Sequence, residues 1–360
     1  MIRLIFACLI SFSLSFIIWI NKETSTHYID KTPNEWMKNS SEIFTPKEHI
    51  RPGDQTFLTF PEWFLVHSPA EEAEYFKNRT STTFPFWGHV EQLWKSYAIV
   101  SDQILENYEF NTGYHVMILV LAVSTTVEYG AKEVYETMIG RITETDPSLK
   151  MTEEDKLNAI VTQDYVDFIR QIPWYEFDFA SALQKLWMDT PYFGDHMLRK
   201  WERRYFLTTD LAVKAGYGWL IKKATKAAYE DPILGTAIVL DQAIQVNDKV
   251  SLLQEKDWNH YVYLIPRYAD FNPTINSIVQ FQDVNIKEIA GNSSATLLTV
   301  LIKKDQTTPI FHQAKTIFTQ DILTRPGEKR IALVTQVENL RETLNQLREN
   351  ELIIEHVYDF

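Results

Sequence analysis

Two carboxylates stand two residues apart in an aromatic segment, residues 173–179, which reads PWYEFDF. In an extended backbone Glu176 and Asp178 point to the same side. Two carboxylates beside aromatic rings can have separated pKa values and can work as a general acid and a general base. The alternative is structural, because Asp178 can cap the helix that follows and Glu176 can be solvated. Glu176 and Asp178 are therefore candidate catalytic residues, and the structural alternative stays open for both.

The nine histidines give no local metal motif, because no two of them are three or four residues apart. A helical zinc site of the protease type needs that spacing. His89, in an aromatic and proline-containing segment, and His115, in an apolar segment, complete the set of candidate catalytic residues. The competing interpretation is that the histidines are unconnected core and surface residues, although a metal site built from distant segments stays open. We predict no metal site and no cofactor.

Standard nucleophile and phosphate-binding motifs are missing from the sequence. The chain contains no G-x-S-x-G, no P-loop and no G-x-G-x-x-G pattern, which are the local signals of serine hydrolases and of nucleotide-binding proteins. The sequence therefore leaves open whether the protein is an enzyme.

The most uneven charge distribution lies in residues 199–226, which contain eight basic and two acidic side chains with aromatic residues between them. A basic helix with aromatic side chains can lie on an anionic membrane surface. It can also bind an acidic protein. We predict a binding surface made of Arg203, Arg204, Lys222, Lys223 and Trp219. The competing interpretation is a helix whose charges are paired with acidic neighbours of the same protein.

The elements that position these residues begin with an apolar N-terminal segment. Residues 4–20 are 17 positions without a charged side chain, the lower limit for a bilayer-spanning helix. Arg3 precedes the segment, whereas one charge of each sign follows it, so the bias favours an extracytoplasmic body. We predict a single-pass transmembrane anchor at residues 1–20. A cleaved signal peptide and a buried helix are the alternatives.

A second apolar segment, residues 114–127, is 14 residues long. At about 1.5 Å per residue it would reach only about 21 Å, which is short of a hydrocarbon core about 30 Å thick. We therefore predict that this segment is a helix buried in the core of the body.

Composition narrows the classes of partner. Arg3 is the one charged side chain in the first 20 residues, so the rest of the chain has 34 basic and 48 acidic side chains and a formal charge of −14. This acidity argues against nucleic-acid binding, which needs a basic surface for phosphate contacts. The single cysteine, Cys8, lies in the apolar N-terminal segment, so the body has no disulfide bond and no thiol nucleophile.

The pattern along the chain predicts an α+β protein. Residues 21–56 are polar and predict a tether. Residues 57–254 have mainly helical periodicity and predict a helical domain, with capping-box sequences that would start helices at 68–71 and 152–155. Residues 255–360 change toward strand periodicity. Their predicted order, β-α-β-β-β-β-α-β, resembles a ferredoxin-like α+β sandwich with an added strand.

These features together predict a membrane-anchored protein of the bacterial cell envelope that binds a partner or the membrane surface and is not a catalyst. One alternative is an extracytoplasmic enzyme with a site in the helical domain, near Glu176, Asp178, His89 and His115. The other is a small-molecule binding module in residues 255–360, which would need an open cavity between sheet and helices.

Overall fold

The computed structural model describes residues 25–144, 151–226, 234–256, 260–281 and 283–359. The predicted anchor at residues 4–20 therefore lies outside the described residues. Within them the protein combines helices with antiparallel sheets. This confirms the predicted mixed helix and sheet class.

Among the described residues, eight helices have eight or more residues, and six of them lie within residues 55–226. In chain order they are α1 Gln55–Phe76, α2 Phe86–Ile104, α3 Thr112–Tyr135, α4 Glu153–Ile169, α5 Phe179–Met188, α6 Met197–Lys226, α7 Phe271–Ile278 and α8 Leu340–Glu349. A π-helical turn, Glu136–Gly140, continues α3 into Arg141–Thr143. The capping box predicted at 152–155 is confirmed, because Thr152 and Asp155 bond to each other's backbone N–H at the start of α4.

The strands form two antiparallel sheets. In chain order they are β1 Thr26–Tyr28, β2 Gly235–Leu240, β3 Ser251–Lys256, β4 His260–Pro266, β5 Ile286–Ile289, β6 Ala295–Lys303, β7 Ala314–Asp321, β8 Glu328–Gln336 and β9 Ile353–Val357. One sheet has the order β1-β7-β8-β6-β9 and the other has the order β3-β4-β2-β5.

The elements after residue 260 follow the predicted order, but their strands are divided between the two sheets. β4 and β5 both pair with β2, whereas β6 to β9 belong to the five-stranded sheet. A single ferredoxin-like sheet is therefore not confirmed. The turn sequence at 325–327 predicts a hairpin of residues 316–323 and 330–337, and the pairing of β7 with β8 confirms it. The sequence also predicts that residues 284–290 and 296–303 form a hairpin around Gly291. That prediction is wrong, because the chain leaves one sheet there and enters the other with a φ of +79° at that glycine.

The five-stranded sheet is buried on both faces. Alternate residues of β8 show this, because Ile331 and Leu333 pack in the core shared with the second sheet, α7 and α8. Ala332 and Val334 pack in another core with side chains of α1, α2 and α3. The alternation of strand side chains thus joins the helical part and the second sheet to opposite faces of one sheet.

The tether predicted at residues 21–56 is packed against the body over its described part. The backbone N–H and the hydroxyl of Thr32 donate to Gln103 Oε1 of α2 at 2.7 and 2.8 Å. Further along, the backbone N–H of Thr45 donates to the carboxylate of Glu288 in β5 at 2.9 Å. Thr32 and Thr45 are both buried. From residue 25 onward the segment predicted as a polar tether is therefore packed into the folded body.

Helix α1 starts well before the predicted start at Ser68. It begins at Gln55 and continues through Pro61 and Pro69 to Phe76. The Ser68 hydroxyl bonds to His89 Nδ1 at 2.9 Å instead of capping a helix. The capping-box sequence at 68–71 thus lies inside a helix. The Ser68 hydroxyl bonds to a side chain of another helix and not to the backbone N–H groups of a helix start.

Candidate functional site

A cleft of about 480 Å³ lies between helix α1, the ends of strands β8 and β9, and helix α7. Its walls carry aromatic, imidazole, carboxylate and guanidinium groups, with Trp63 and His67 from α1 and His356 from β9. A volume of this size is in the range of small-molecule sites.

The guanidinium of Arg330 is the centre of the polar wall of the cleft. It is 1% exposed. Its Nε and Nη2 donate to the Glu355 carboxylate at 2.5 and 2.7 Å, and Nη2 also donates to Glu71 at 3.2 Å. Nη1 donates to Gln320 Oε1 at 2.8 Å. Burial would raise the pKa of Glu355, but the Arg330 charge lowers it to about 2. The two carboxylates and the guanidinium are thus held together as a charged group.

Two histidines in the cleft wall, the buried His356 and the largely buried His67, are held in the neutral form. Burial lowers the pKa of His67 to about 4 and that of His356 to about 3. The His356 ring lies 3.9 Å from the Trp63 ring and 6.4 Å from the His67 ring, measured between centroids. Among the described residues, neither Nε2 atom has a hydrogen-bond partner. Buried nitrogens without partners cost about 1–3 kcal/mol each, so the wall carries unused hydrogen-bonding capacity.

The candidate His89 lies behind this wall. It is 1% exposed, and its Nε2 is 3.7 Å from Glu71 Oε2. Burial lowers the pKa of His89 to about 3. Ser68, His89 and Glu71 have the residue types of a hydrolase triad. However, Ser68 is 2% exposed and its hydroxyl also bonds to Tyr129. A substrate cannot reach this serine, so the arrangement is structural.

The other three candidate catalytic residues have separate surroundings. His115 Nδ1 is 2.7 Å from the Tyr97 hydroxyl, and no contact joins His115 to the cleft. Glu176 forms an ion pair with Lys222 of α6. Asp178 caps α5 by accepting the Ser181 N–H at 2.9 Å, and hydrogen bonds from Ser181 lower its pKa.

The four candidates therefore do not converge on a cleft. The structure brings only His89 near the charged group around Arg330. In the part of the chain that the structure describes, no group of three or more His, Cys, Asp or Glu side chains is arranged to hold a metal ion.

The predicted basic surface on α6 is largely internal. Arg203 and Arg204 are 2% and 1% exposed. Arg203 Nη1 donates to Glu136 of the turn after α3 at 2.6 Å, and Arg204 Nη2 donates to Glu154 of α4 at 2.7 Å. The prediction that Arg203 and Arg204 meet an outside partner is wrong, because carboxylates distant in sequence neutralise them.

The C-terminal part of α6 keeps a surface position. Lys222 pairs with Glu176, and the Lys223 ammonium lies 4.0 Å from the centre of the Trp219 ring. Trp219 is 59% exposed. These three residues of the predicted binding surface are thus at the surface without forming a large basic patch.

Comparisons with protein-family models, with curated proteins and with solved structures give no match to this chain.

Helix α3, together with its continuation through Glu136–Gly140 to Thr143, presents an extended apolar surface. Over Thr112–Thr143 it is, among the described residues, the one helix long and apolar enough to cross a membrane, and 22% of its most apolar window is buried. The prediction that residues 114–127 are buried in the core is therefore wrong for most of the segment. Only one row of side chains faces inward, including His115, Ile118, Ala122, Tyr129 and Lys132. Apolar residues occupy both faces of this helix, so the composition of the segment does not show which face is buried.

Proposed function

We propose that the chain is a membrane-anchored protein of the bacterial cell envelope that binds a partner and does not act as a catalyst. Residues 4–20 would cross the membrane, and the body would lie on the extracytoplasmic side. The observation that carries the proposal is how directly this segment joins the body. The Ser25 carbonyl accepts the Asp321 N–H at 2.7 Å, and Gln92 donates to the Ser25 hydroxyl at 2.7 Å.

Only residues 21–24 lie between the apolar segment and this fixed point. At about 3.5 Å per residue, four residues span at most about 14 Å. The body of an anchored protein would therefore be held against the membrane. The internal bonding of Glu176, Asp178 and His89 supports a binding role over a catalytic one, because each of these groups already has a fixed partner.

Membrane fractionation of bacterial cells that express the full chain tests this proposal. We expect the chain to stay with the membranes at high pH, which strips peripheral proteins, and to be digested by protease added to spheroplasts. Recovery in the soluble fraction, with the first residues removed according to N-terminal sequencing, would favour the cleaved signal peptide and overturn the anchor.

A second candidate function is small-molecule binding in the cleft beside Trp63. It is favoured by the size of the cleft and by its wall of aromatic, imidazole and charged side chains, which include His67 and His356. Nitrogen-edited NMR spectra of the imidazoles, recorded with a set of neutral polar fragments, test it. Shifts of the His67 and His356 signals, but not of the His115 signal, are expected from a specific ligand. Equal shifts at all three would contradict a cleft site.

A further inference from the structure

The outer face of helix α3 is apolar and open over about seven turns. Between residues 116 and 142, at about 1.5 Å per residue, it extends for about 40 Å. The exposed apolar side chains are Val116, Met117, Leu119, Val120, Val123, Val127, Val134, Met138, Ile139 and Ile142. Soluble monomers rarely expose an apolar patch of this extent, and such patches mark contacts with proteins or membranes.

Three charged side chains of this helical stretch, Glu128, Lys132 and Glu136, have partners on the body, whereas Glu133 is half-buried and Arg141 is exposed near the end of the stretch. Lys132 is buried and lies 3.2 Å from Glu72 of α1 and 3.0 Å from Glu128. Glu128 is also 3.0 Å from Lys214 of α6. Glu136 is held by Arg203. The outer face can therefore enter an apolar environment without removing these charges from their partners.

The proposed anchor emerges close to this helix. Gln92 of α2, which holds Ser25, is two residues from Trp94, and the Trp94 indole N–H donates to Thr126 of α3 at 2.8 Å. Trp87 of α2 covers Gly130 of α3 and is 41% exposed. Tryptophan is enriched where a membrane meets water. Helix α3 is thus one helix away from the point at which the chain would leave the membrane.

We infer that the outer face of α3 lies in the plane of the membrane surface and contacts lipid as a second attachment of the body. The inference rests on the proposed anchoring by residues 4–20. The opposite face of α3 is packed on α1, α2 and α6, so the helix lies on the bilayer and does not cross it. An apolar helix face of this kind enters the boundary between headgroups and acyl chains to about 5–10 Å.

The contact is apolar and not electrostatic. The buried basic side chains of α6 are neutralised internally, and the chain without its first 20 residues carries a formal charge of −14. Zwitterionic phosphatidylcholine should therefore bind this face as well as a mixture with anionic phosphatidylglycerol does.

Depth-dependent fluorescence quenching tests the inference on the full chain in phosphatidylcholine vesicles. Cys8→Ser removes the only cysteine, and Val120→Cys or Val123→Cys then takes an environment-sensitive label. The matched control is Ile310→Cys, at an 87% exposed apolar position between β6 and β7. We expect lipids with a quencher near the headgroup to remove most of the fluorescence at positions 120 and 123 and little at 310. Added phosphatidylglycerol or high salt should not change this.

Three results would overturn the inference, and flotation of the vesicles distinguishes them. Protein that floats with vesicles without quenching at positions 120 and 123 keeps the anchor and excludes lipid contact of α3. A label at 120 that is shielded from water, unquenched by lipid and crosslinked to a second copy shows a dimer interface. Protein that does not float at all overturns both the anchor and the α3 contact.

Discussion

Three buried histidines should make the folded protein less stable in mildly acidic solution. Burial lowers the pKa of His67 to about 4 and those of His89 and His356 to about 3, from an ordinary value of 6.5. Between those values the unfolded chain binds more protons than the folded one. The stabilisation is therefore complete above about pH 6.5 and is lost as the pH falls, by up to about 1.4 kcal/mol per pH unit for each histidine.

Urea unfolding at about pH 7, 6 and 5 measures this loss, and His356→Gln isolates one histidine. We expect the free energy of unfolding of the variant to depend less steeply on pH than that of the parent protein. Burial raises the pKa of Glu71, which acts in the opposite direction, but Glu71 is present in both proteins. Glu355, with its pKa of about 2, adds a loss only at lower pH. An unchanged slope would show that His356 is not neutral in the fold.

Arg330 should be among the least replaceable residues of the body. Arg330→Met leaves the buried carboxylates of Glu71 and Glu355 without their guanidinium, and breaking a buried ion pair in this way costs about 3–5 kcal/mol. The free energy of unfolding from urea titration measures the loss. Arg325→Ala is the control on the same hairpin, because its exposed pair with Glu328 is worth about 1 kcal/mol or less. Equal losses from both substitutions would contradict the assigned role.

Sequence patterns found residues with local roles and missed those with distant partners. The structural interpretation of Asp178 as a helix cap is confirmed, because the cap bonds lie within three residues. The group around Arg330 joins α1, β7, β8 and β9, and Glu71 is 259 positions away. The sequence shows Arg330 directly before an apolar run, IALV. That pattern does not indicate which carboxylates bind the arginine.

At the scale of elements, replacing glycine by alanine should stabilise the protein at one helix position and destabilise it at another. Gly216 in α6 has open space around it, so Gly216→Ala should stabilise the protein by about 0.5–1 kcal/mol, because alanine is the better helix former. At Gly140 a methyl group would meet the carboxylate of Glu136 and lie 3.1 Å from Thr82 Cγ2. Glu136 is held by Arg203, so Gly140→Ala should cost about 1–3 kcal/mol through disturbed hydrogen bonds.

Thermal unfolding of the two glycine variants beside the parent protein gives the comparison. Gly216→Ala should raise the melting temperature and Gly140→Ala should lower it. A stabilising effect of both would mean that the Glu136 carboxylate can move aside freely, which contradicts its assigned bonds.

Secondary structure was predicted best where the spacing of apolar residues is regular. The strands and helices from residue 260 onward follow the predicted order, and the described part of α6, Met197–Lys226, lies in the part of the chain predicted to be helical. β1, β2 and β3 were missed because they lie in segments read as polar or helical. Helix α1 was predicted too short because the sequence at 68–71 has the pattern of a capping box with proline at the first helical position, whereas the helix begins at Gln55 and continues through Pro61 and Pro69.

At the scale of the whole molecule, residues 25–54 connect the helical part with both sheets, although the sequence pattern predicts separate helical and α+β domains. They add β1 to the five-stranded sheet, bond to α2 through Thr32 and bond to β5 through Thr45. This segment therefore contacts both sheets and the helical part of the body. The predicted boundary between residues 254 and 255 falls inside strand β3, and β2, which precedes the boundary, pairs with β4, which follows it.

The body should therefore unfold as one cooperative unit, and residues 255–360 alone should not fold. Without residues 25–254 that fragment loses β2, the partner of both β4 and β5, and exposes Phe318 and Tyr358, whose rings pack on Phe60 of α1. For the full chain in detergent, tryptophan fluorescence reports mainly on the helical part, because seven of the ten tryptophans lie within residues 57–254. Hydrogen exchange in β6 and β8 reports on the sheet. We expect coincident urea midpoints from both probes and no dispersed NMR spectrum from the fragment. Separate midpoints with a folded fragment would restore the two-domain prediction, because each part would then have a sufficient core of its own.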